Sequence, residues 1–258
     1  MSTLKDKVVV MTGAASGLGR ACAAEFGSQG AMVVVGDVDV DGAGQAVADL
    51  GDQGRAIRCD VSSSDDCRAL MAEAAAAFGR IDAVMPNAGI EGNGTVETCP
   101  EDDWDRVMRV NLKGVFLVAK HAVPHLRTNG GGAILMTSSV SGFWGEPGTV
   151  SYNAAKGGII GLVRAMAMDH GRDGIRVNCL CPGYHATGMP ERFFAAQADP
   201  EGMAARVDDL IPLRRMGRPE ELARTAAFLL SDSNPYITGA AIVIDGGMTA
   251  GYPWHDQA

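Results

Sequence analysis

Positive charge is what the chain is short of: 22 Lys and Arg stand against 31 Asp and Glu, a formal net charge of -9, and no stretch gathers basic residues into a stripe. Binding to a nucleic-acid backbone draws on clustered lysine and arginine, so that class of partner is excluded. Long apolar runs are missing too. Each is broken by a charge or a glycine well short of the ~18 residues that span a bilayer, and Val8 to Met11 is all the apolar sequence between the polar start and Thr12. Such a start is too short for a secretory signal core, so the expectation is a cytoplasmic protein with no membrane partner. The six cysteines (22, 59, 67, 99, 179 and 181) contain no Cys-x-x-Cys pair and fit reduced thiols. Cys179 and Cys181 flank Leu180 in an expected strand and read as small core hydrophobes. His121 and His125 share a helix face, but Ala122 stands where a zinc-protease helix carries glutamate. No metal is expected.

What the chain does have is an alternation of strand and helix. Its 258 residues, 47% of them hydrophobic, suit one large α/β domain over 1–258. Lys7 to Met11 reads as a strand covered on both faces. Thr12-Gly13-Ala14-Ala15-Ser16-Gly17-Leu18-Gly19 then breaks it before a helix from Ala21 to Gln29. Strand, glycine turn and helix make a setting for a pyrophosphate: Gly13 turns sharply, Gly17 and Gly19 let backbone approach, and the helix N-terminus favours negative charge. A second strand, Ala31 to Asp37, ends on an acid 18 residues beyond Gly19. A carboxylate there accepts from ribose hydroxyls and repels a 2′-phosphate, which predicts NAD rather than NADP. Helix 39–50, strand 55–60, helix 64–78, strand 81–85 and helix 101–126 follow. Repeated βα units predict a parallel sheet with right-handed crossovers.

The run from Ser139 to Lys156 carries the chemistry. Ser139 closes an apolar strand, Ala133 to Ser138, at the carboxyl end where open sheets bind ligands. Tyr152 and Lys156 are four apart, so on one helix the phenol and the ammonium share a face. A free tyrosine has a pKa near ~10, and a neighbouring cation lowers it toward the range useful to a general base. Asn111, in the middle of an expected helix, is unfavourable there without a role.

Together these motifs resemble the short-chain dehydrogenase/reductase family over nearly the whole chain. The glycine turn has that family's Thr-Gly-x-x-x-Gly-x-Gly form, Ser139 lies 13 residues before Tyr152, and Tyr152-x-x-x-Lys156 follows. The resemblance implies a doubly wound, Rossmann-like domain with a seven-stranded parallel sheet. It implies that Asp60-Val61 meets adenine and that Asn87-Ala88-Gly89 ends the family's Asn-Asn-Ala-Gly motif, with Pro86 replacing the first asparagine. Pro182-Gly183-x-x-x-Thr187 would meet the nicotinamide carboxamide through Thr187 and the backbone at 185, where His185 replaces a usual aliphatic residue. The His185 ring is expected to face solvent; tuning of pH dependence or substrate contact is the alternative. Ser16 agrees with NAD, since phosphate-preferring relatives often have a basic residue there. Tyr152 would be the base, Lys156 would lower its pKa and bind ribose, Ser139 would hold the substrate oxygen, and the Asn111 backbone would hold a relay water.

The implied reaction is hydride transfer between NAD(H) and a secondary alcohol or ketone. Residues 188–211 read as a long link covering the substrate, with Phe143, Trp144 and Tyr184 as further apolar wall. That wall suggests a medium-sized hydrophobic or cyclic small-molecule substrate. A 3-oxoacyl-[carrier protein] reductase using NADPH is the alternative within enzymes, discouraged by Asp37 and the net charge of -9. A non-catalytic cofactor-binding protein is the other, discouraged by the intact Asn111, Ser139, Tyr152 and Lys156. Family members are commonly homotetramers, and the tail 248–258, with Tyr252, Trp254 and His255, is expected to reach a neighbouring subunit.

Overall fold

Strands that are apolar at every position need cover on both faces, and the fold supplies it. The computed structural model describes residues 4–195 and 198–251; the expectation for Tyr252, Trp254 and His255 lies outside them. Seven strands form one parallel sheet in the order β3-β2-β1-β4-β5-β6-β7. They are β1 (Val8–Thr12), β2 (Met32–Asp37), β3 (Gly54–Arg58), β4 (Ala83–Met85), β5 (Gly132–Thr137), β6 (Ile175–Pro182) and β7 (Ala241–Ile244). The helices are α1 (Gly17–Ser28), α2 (Val40–Val47), α3 (Ser64–Phe78), α4 (Glu101–Met108), α5 (Val115–Thr128), α6 (Val150–His170), α7 (Gly188–Ala195), α8 (Pro200–Leu210) and α9 (Pro219–Leu230).

Successive strand residues point to opposite faces, so each run feeds two cores. Val10, Ile134, Met136, Cys179 and Cys181 pack with α3, α5 and α6. Val9, Met11, Ala133, Leu135 and Leu180 pack with α1, α2 and α9. Strand order reverses between β1 and β4, which pair Val9 with Ala83 and Met11 with Met85. A crevice opens at the carboxyl ends where an order reverses, and the predicted cofactor positions line it together with Ser139, Tyr152 and Lys156.

Three expectations change. Helix 39–50 ends at Val47 and continues as a 3-10 turn, Ala48–Gln53, containing Gly51 at φ +54. The helix through Asn111 is two α-helices joined by a π-helical turn, Arg109–Gly114. Residues 188–211, expected as a long link, contain the two helices α7 and α8. Phe194, Val207 and Ile211 bury against Val140 and Met248 in a third, smaller core. Among the described residues, no helix is long and apolar enough to cross a membrane.

Candidate active site

A cavity of about 660 Å³ runs along the carboxyl ends of the central strands. Gly13, Ser16, Gly17, Leu18 and Gly19 line it at the start of α1; Asp37, Asp60 and Val61 line it beyond β2 and β3. Asn87, Ala88 and Gly89 close its floor, and Pro182, Gly183, His185 and Thr187 its far wall. Gly13 has φ +71, and a β-carbon on it would fall 2.5 Å from the Ala88 Cα, so only glycine fits. Asn87 stitches the crevice: Nδ2 donates to the carbonyls of Thr12 (3.1 Å) and Gly13 (2.8 Å), while Oδ1 accepts from Thr137 Oγ1 (3.0 Å). Pro86 lacks a donor, but its carbonyl accepts from the Thr137 amide at 3.1 Å, so the strand end stays paired. The Asp37 carboxylate accepts from the amides of Ala15 (3.0 Å) and Asp39 (3.1 Å), which hold it at the cavity wall.

Three of the four predicted catalytic residues, Ser139, Tyr152 and Lys156, line this cavity, and Asn111 is buried behind Gly89 and Ile90. Lys156 is 3% exposed; its Nζ donates to the Thr137 carbonyl at 2.8 Å and lies 5.4 Å from the Tyr152 ring centre. Burial pushes the ammonium down to about 8. The Tyr152 phenol is pushed up to about 12, by burial first; the Ser139 hydrogen bond pulls the other way, and Glu146 and Glu91 add to the rise. The sequence expectation was a cation-lowered phenol. The ammonium instead sits over the ring and spends a proton on Thr137, while two carboxylates act on the hydroxyl.

Ser139 caps the 3-10 turn Val140–Gly142, accepting from the Ser141 amide at 3.1 Å. Neighbouring Ser138 is committed elsewhere, donating to the Lys156 carbonyl at 2.8 Å. Asn111, fully buried in the π-turn, clasps Ile90 from both sides: Oδ1 accepts its amide and Nδ2 donates to its carbonyl, each at 2.8 Å. A β-carbon on Gly89 would sit 3.4 Å from Asn111 Oδ1 and 3.6 Å from Lys156 Nζ. The space between amide and ammonium is therefore open.

A second cavity of about 130 Å³ shares Ser139, Tyr152, Pro182 and Gly183 with the first. Tyr184 lines it, as expected, but through its hydroxyl, which donates to Glu146 Oε1 at 2.7 Å. Trp144 and Phe143 do not: they are 43% and 52% exposed and line neither cavity, their amides both held on the Val140 carbonyl, at 2.8 and 3.1 Å. His185 also departs from expectation. It is 3% exposed, Nδ1 lies 3.0 Å from the Gly183 carbonyl, and its ring packs on Gly217, to which it is bridged like a short strand. Burial lowers its pKa. Met189, Pro190 and Phe193, from the segment expected to cover the substrate, line this wall, whereas sequence reasoning missed Glu91, Ser141 and Glu146. The one signal for Glu146 was an acid set between Ser139 and Tyr152.

A doubly wound sheet with a glycine turn on β1, an acid ending β2, and serine, tyrosine and lysine at the crevice defines a nicotinamide-dependent oxidoreductase. Comparison with known proteins agrees. A family model described as Enoyl-(Acyl carrier protein) reductase matches residues 13–249. The chain is 41% identical over 247 residues to meso-2,3-butanediol dehydrogenase of Serratia marcescens, covering 95% of each protein. It is also 41% identical over 252 residues to cis-4-hydroxycyclohexanecarboxylate dehydrogenase of Sinomonas cyclohexanicum, covering 95% of this chain and 97% of that one. The crystal structure of levodione reductase superposes with a TM-score of 0.92 at 35% identity, covering 96% of this chain and 99% of that one. The chain belongs to the short-chain dehydrogenase/reductase family, and is an oxidoreductase of the alcohol/ketone pair.

Proposed function

We propose that the protein is an NAD-dependent secondary-alcohol dehydrogenase and ketone reductase in which Tyr152, Lys156, Ser139 and Asn111 act as one unit. The observation that carries this is the placing of Tyr152 and Ser139 in the walls of both cavities, with buried Lys156 beside the ring. The residues fit a dinucleotide: the cradle between Gly13 and Ala88 admits no side chain, and the α1 N-terminus faces the cavity. Asp37, Asp39 and Asp60 line the end where an adenosine ribose would lie and would repel a 2′-phosphate. Gly13, Ser16, Gly17, Leu18 and Gly19 would hold the pyrophosphate, Asp60 and Val61 the adenine, and Asn87, Ala88, Gly89, Lys156, Pro182, Gly183, His185 and Thr187 the nicotinamide half. When bound, the cofactor supplies the hydride acceptor or donor and, oxidised, a positive charge.

The chain's own groups handle the proton. Ser139 hydrogen-bonds the substrate oxygen and fixes it beside the Tyr152 hydroxyl. Tyr152 as phenolate takes the carbinol proton in oxidation and returns it in reduction. Lys156 holds the ribose of the nicotinamide half from beside the ring, and Asn111 fixes the Ile90 loop across the open space from Lys156. Helices α7 and α8 cover the substrate. The protein works in the cytoplasm, consistent with six free cysteines, and as a homotetramer, consistent with the exposed Trp104 and Phe116 on α4 and α5.

The test is NADH absorbance with secondary alcohols. Tyr152→Phe is expected to lose at least ~1,000-fold in kcat while binding NADH normally. NAD is expected to exceed NADP in kcat/KM, and Asp37→Ser to shrink that ratio about tenfold. Turnover within tenfold of the parent in Tyr152→Phe would refute the role of the phenol. Light scattering at about four times the 26.8 kDa chain mass checks the assembly.

A further inference from the structure

The smaller cavity has an apolar side and a charged one. Val140, Met189, Pro190 and Phe193 supply the first. Among the described residues, Glu91 and Glu146 are the only charged ones in its lining. Glu91 is neutralised across the mouth by Arg192 at 3.1 Å. Glu146 is in no ion pair among the described residues; its partners are hydroxyls, with Ser141 donating to Oε2 at 2.8 Å and Tyr184 to Oε1 at 2.7 Å. A carboxylate has about four acceptor sites, so each oxygen can take a further donor.

Glu146 is also fixed in place. Its amide donates to Asn153 Oδ1 at 3.2 Å, and its carbonyl accepts from Asn153 Nδ2 at 2.9 Å and Thr149 Oγ1 at 3.0 Å. Asn153 follows Tyr152 on α6, so the carboxylate is tied to the helix that carries the base. It is also linked to the substrate-orienting serine: Ser139 Oγ donates to Ser141 Oγ at 3.2 Å, and Ser141 to Glu146. Two hydrogen-bond steps separate the substrate oxygen's anchor from a rigid acceptor.

On this geometry, and resting on the dehydrogenase reading above, we propose that Glu146 is a specificity-determining residue selecting alcohols with a second hydrogen-bond donor beside the carbinol. The substrate class is vicinal diols and amino alcohols with an apolar body. A donor on the neighbouring carbon reaches Glu146 while the carbinol oxygen stays on Ser139 and Tyr152. A bare alcohol leaves the acceptor without its extra bond, and a carboxylate or phosphate beside the carbinol meets a like charge.

One ring series tests this, with identical skeletons and a changing neighbour: cyclohexanol, 1,2-cyclohexanediol, 2-aminocyclohexanol and 2-hydroxycyclohexanecarboxylate, each with NAD. The wild type is expected to favour the diol and the amino alcohol over cyclohexanol by about tenfold or more in kcat/KM, and to turn over the carboxylate least. Glu146→Leu is expected to bring diol and cyclohexanol within about threefold of each other. Glu146→Gln is expected to keep the diol preference while the gap between the amino alcohol and the carboxylate shrinks at least about tenfold. NADH binding by fluorescence reports folding; should the leucine variant fail it, the glutamine variant decides. Equal rates on diol and cyclohexanol in the wild type would overturn the proposal, as would variants that slow all four substrates by one common factor, the mark of a purely structural carboxylate. No turnover of any alcohol by protein that binds NADH would instead remove the dehydrogenase reading beneath it.

Discussion

At the scale of single residues, Lys156 shows the conflict between function and stability. It is buried with its Nζ donating to the Thr137 carbonyl, and its ammonium is pushed from 10.5 down to about 8. A folded-state value below the unfolded one means the unfolded chain binds the extra proton between those pH values, so stability from this group rises over that window and is lost as pH falls toward 8. Lys156→Met is therefore expected to be inactive yet more stable than the parent at pH 7, by a few kcal/mol on the shift alone. The advantage is expected to fade as pH climbs from 8 to 10.5. Denaturant melts across that range check it; a difference independent of pH would show that the buried charge carries no such cost. Positions of this kind were readable beforehand, because Ser139, Tyr152 and Lys156 sit at offsets set by one strand end and one helix. Glu146 was not, since its placing depends on side-chain bonds from Ser141 and Tyr184. His185 was misread for a similar reason: the glycine that covers its ring, Gly217, is remote in sequence.

Among elements, α7 and α8 are held by apolar contact more than by charge. Phe194 is 7% exposed in the third core and meets Tyr184 at 6.1 Å between ring centres. The Arg192–Glu91 pair has side chains 67% and 35% exposed, and exposed pairs contribute roughly 0–1 kcal/mol. Phe194→Ala is expected to raise KM for the alcohol at least about fivefold, and Arg192→Ala less than about threefold, with the smaller effect vanishing in high salt. Equal effects would show that the charge, and not the ring, anchors the cover. Helix character here follows from Met203 and Val207, four apart on one face, a spacing that the reading of 188–211 as one long link passed over. The π-turn at Arg109–Gly114 left no trace in the sequence, because six residues are too few to shift a hydrophobic period.

For the molecule as a whole, the parallel sheet was legible because Val8 to Met11 and Ala133 to Met136 are apolar without alternation, which only a sheet covered twice can use. The glycine turn after the first strand placed the crevice. Less legible was the existence of a core apart from the two flanking the sheet: Val140, Phe194, Val207, Ile211 and Met248 are scattered over more than a hundred positions and meet only after the sheet has formed. Because so few side chains make up that core, it has little cooperative support from the rest. On heating, dehydrogenase activity is expected to disappear several degrees below the loss of far-ultraviolet ellipticity, and cooling from between the two temperatures to restore it. Coincident midpoints would refute this. Val140 stands next to Ser139, so melting of the cover also frees the turn that aims the serine; warmth would switch the enzyme off reversibly before it could unfold.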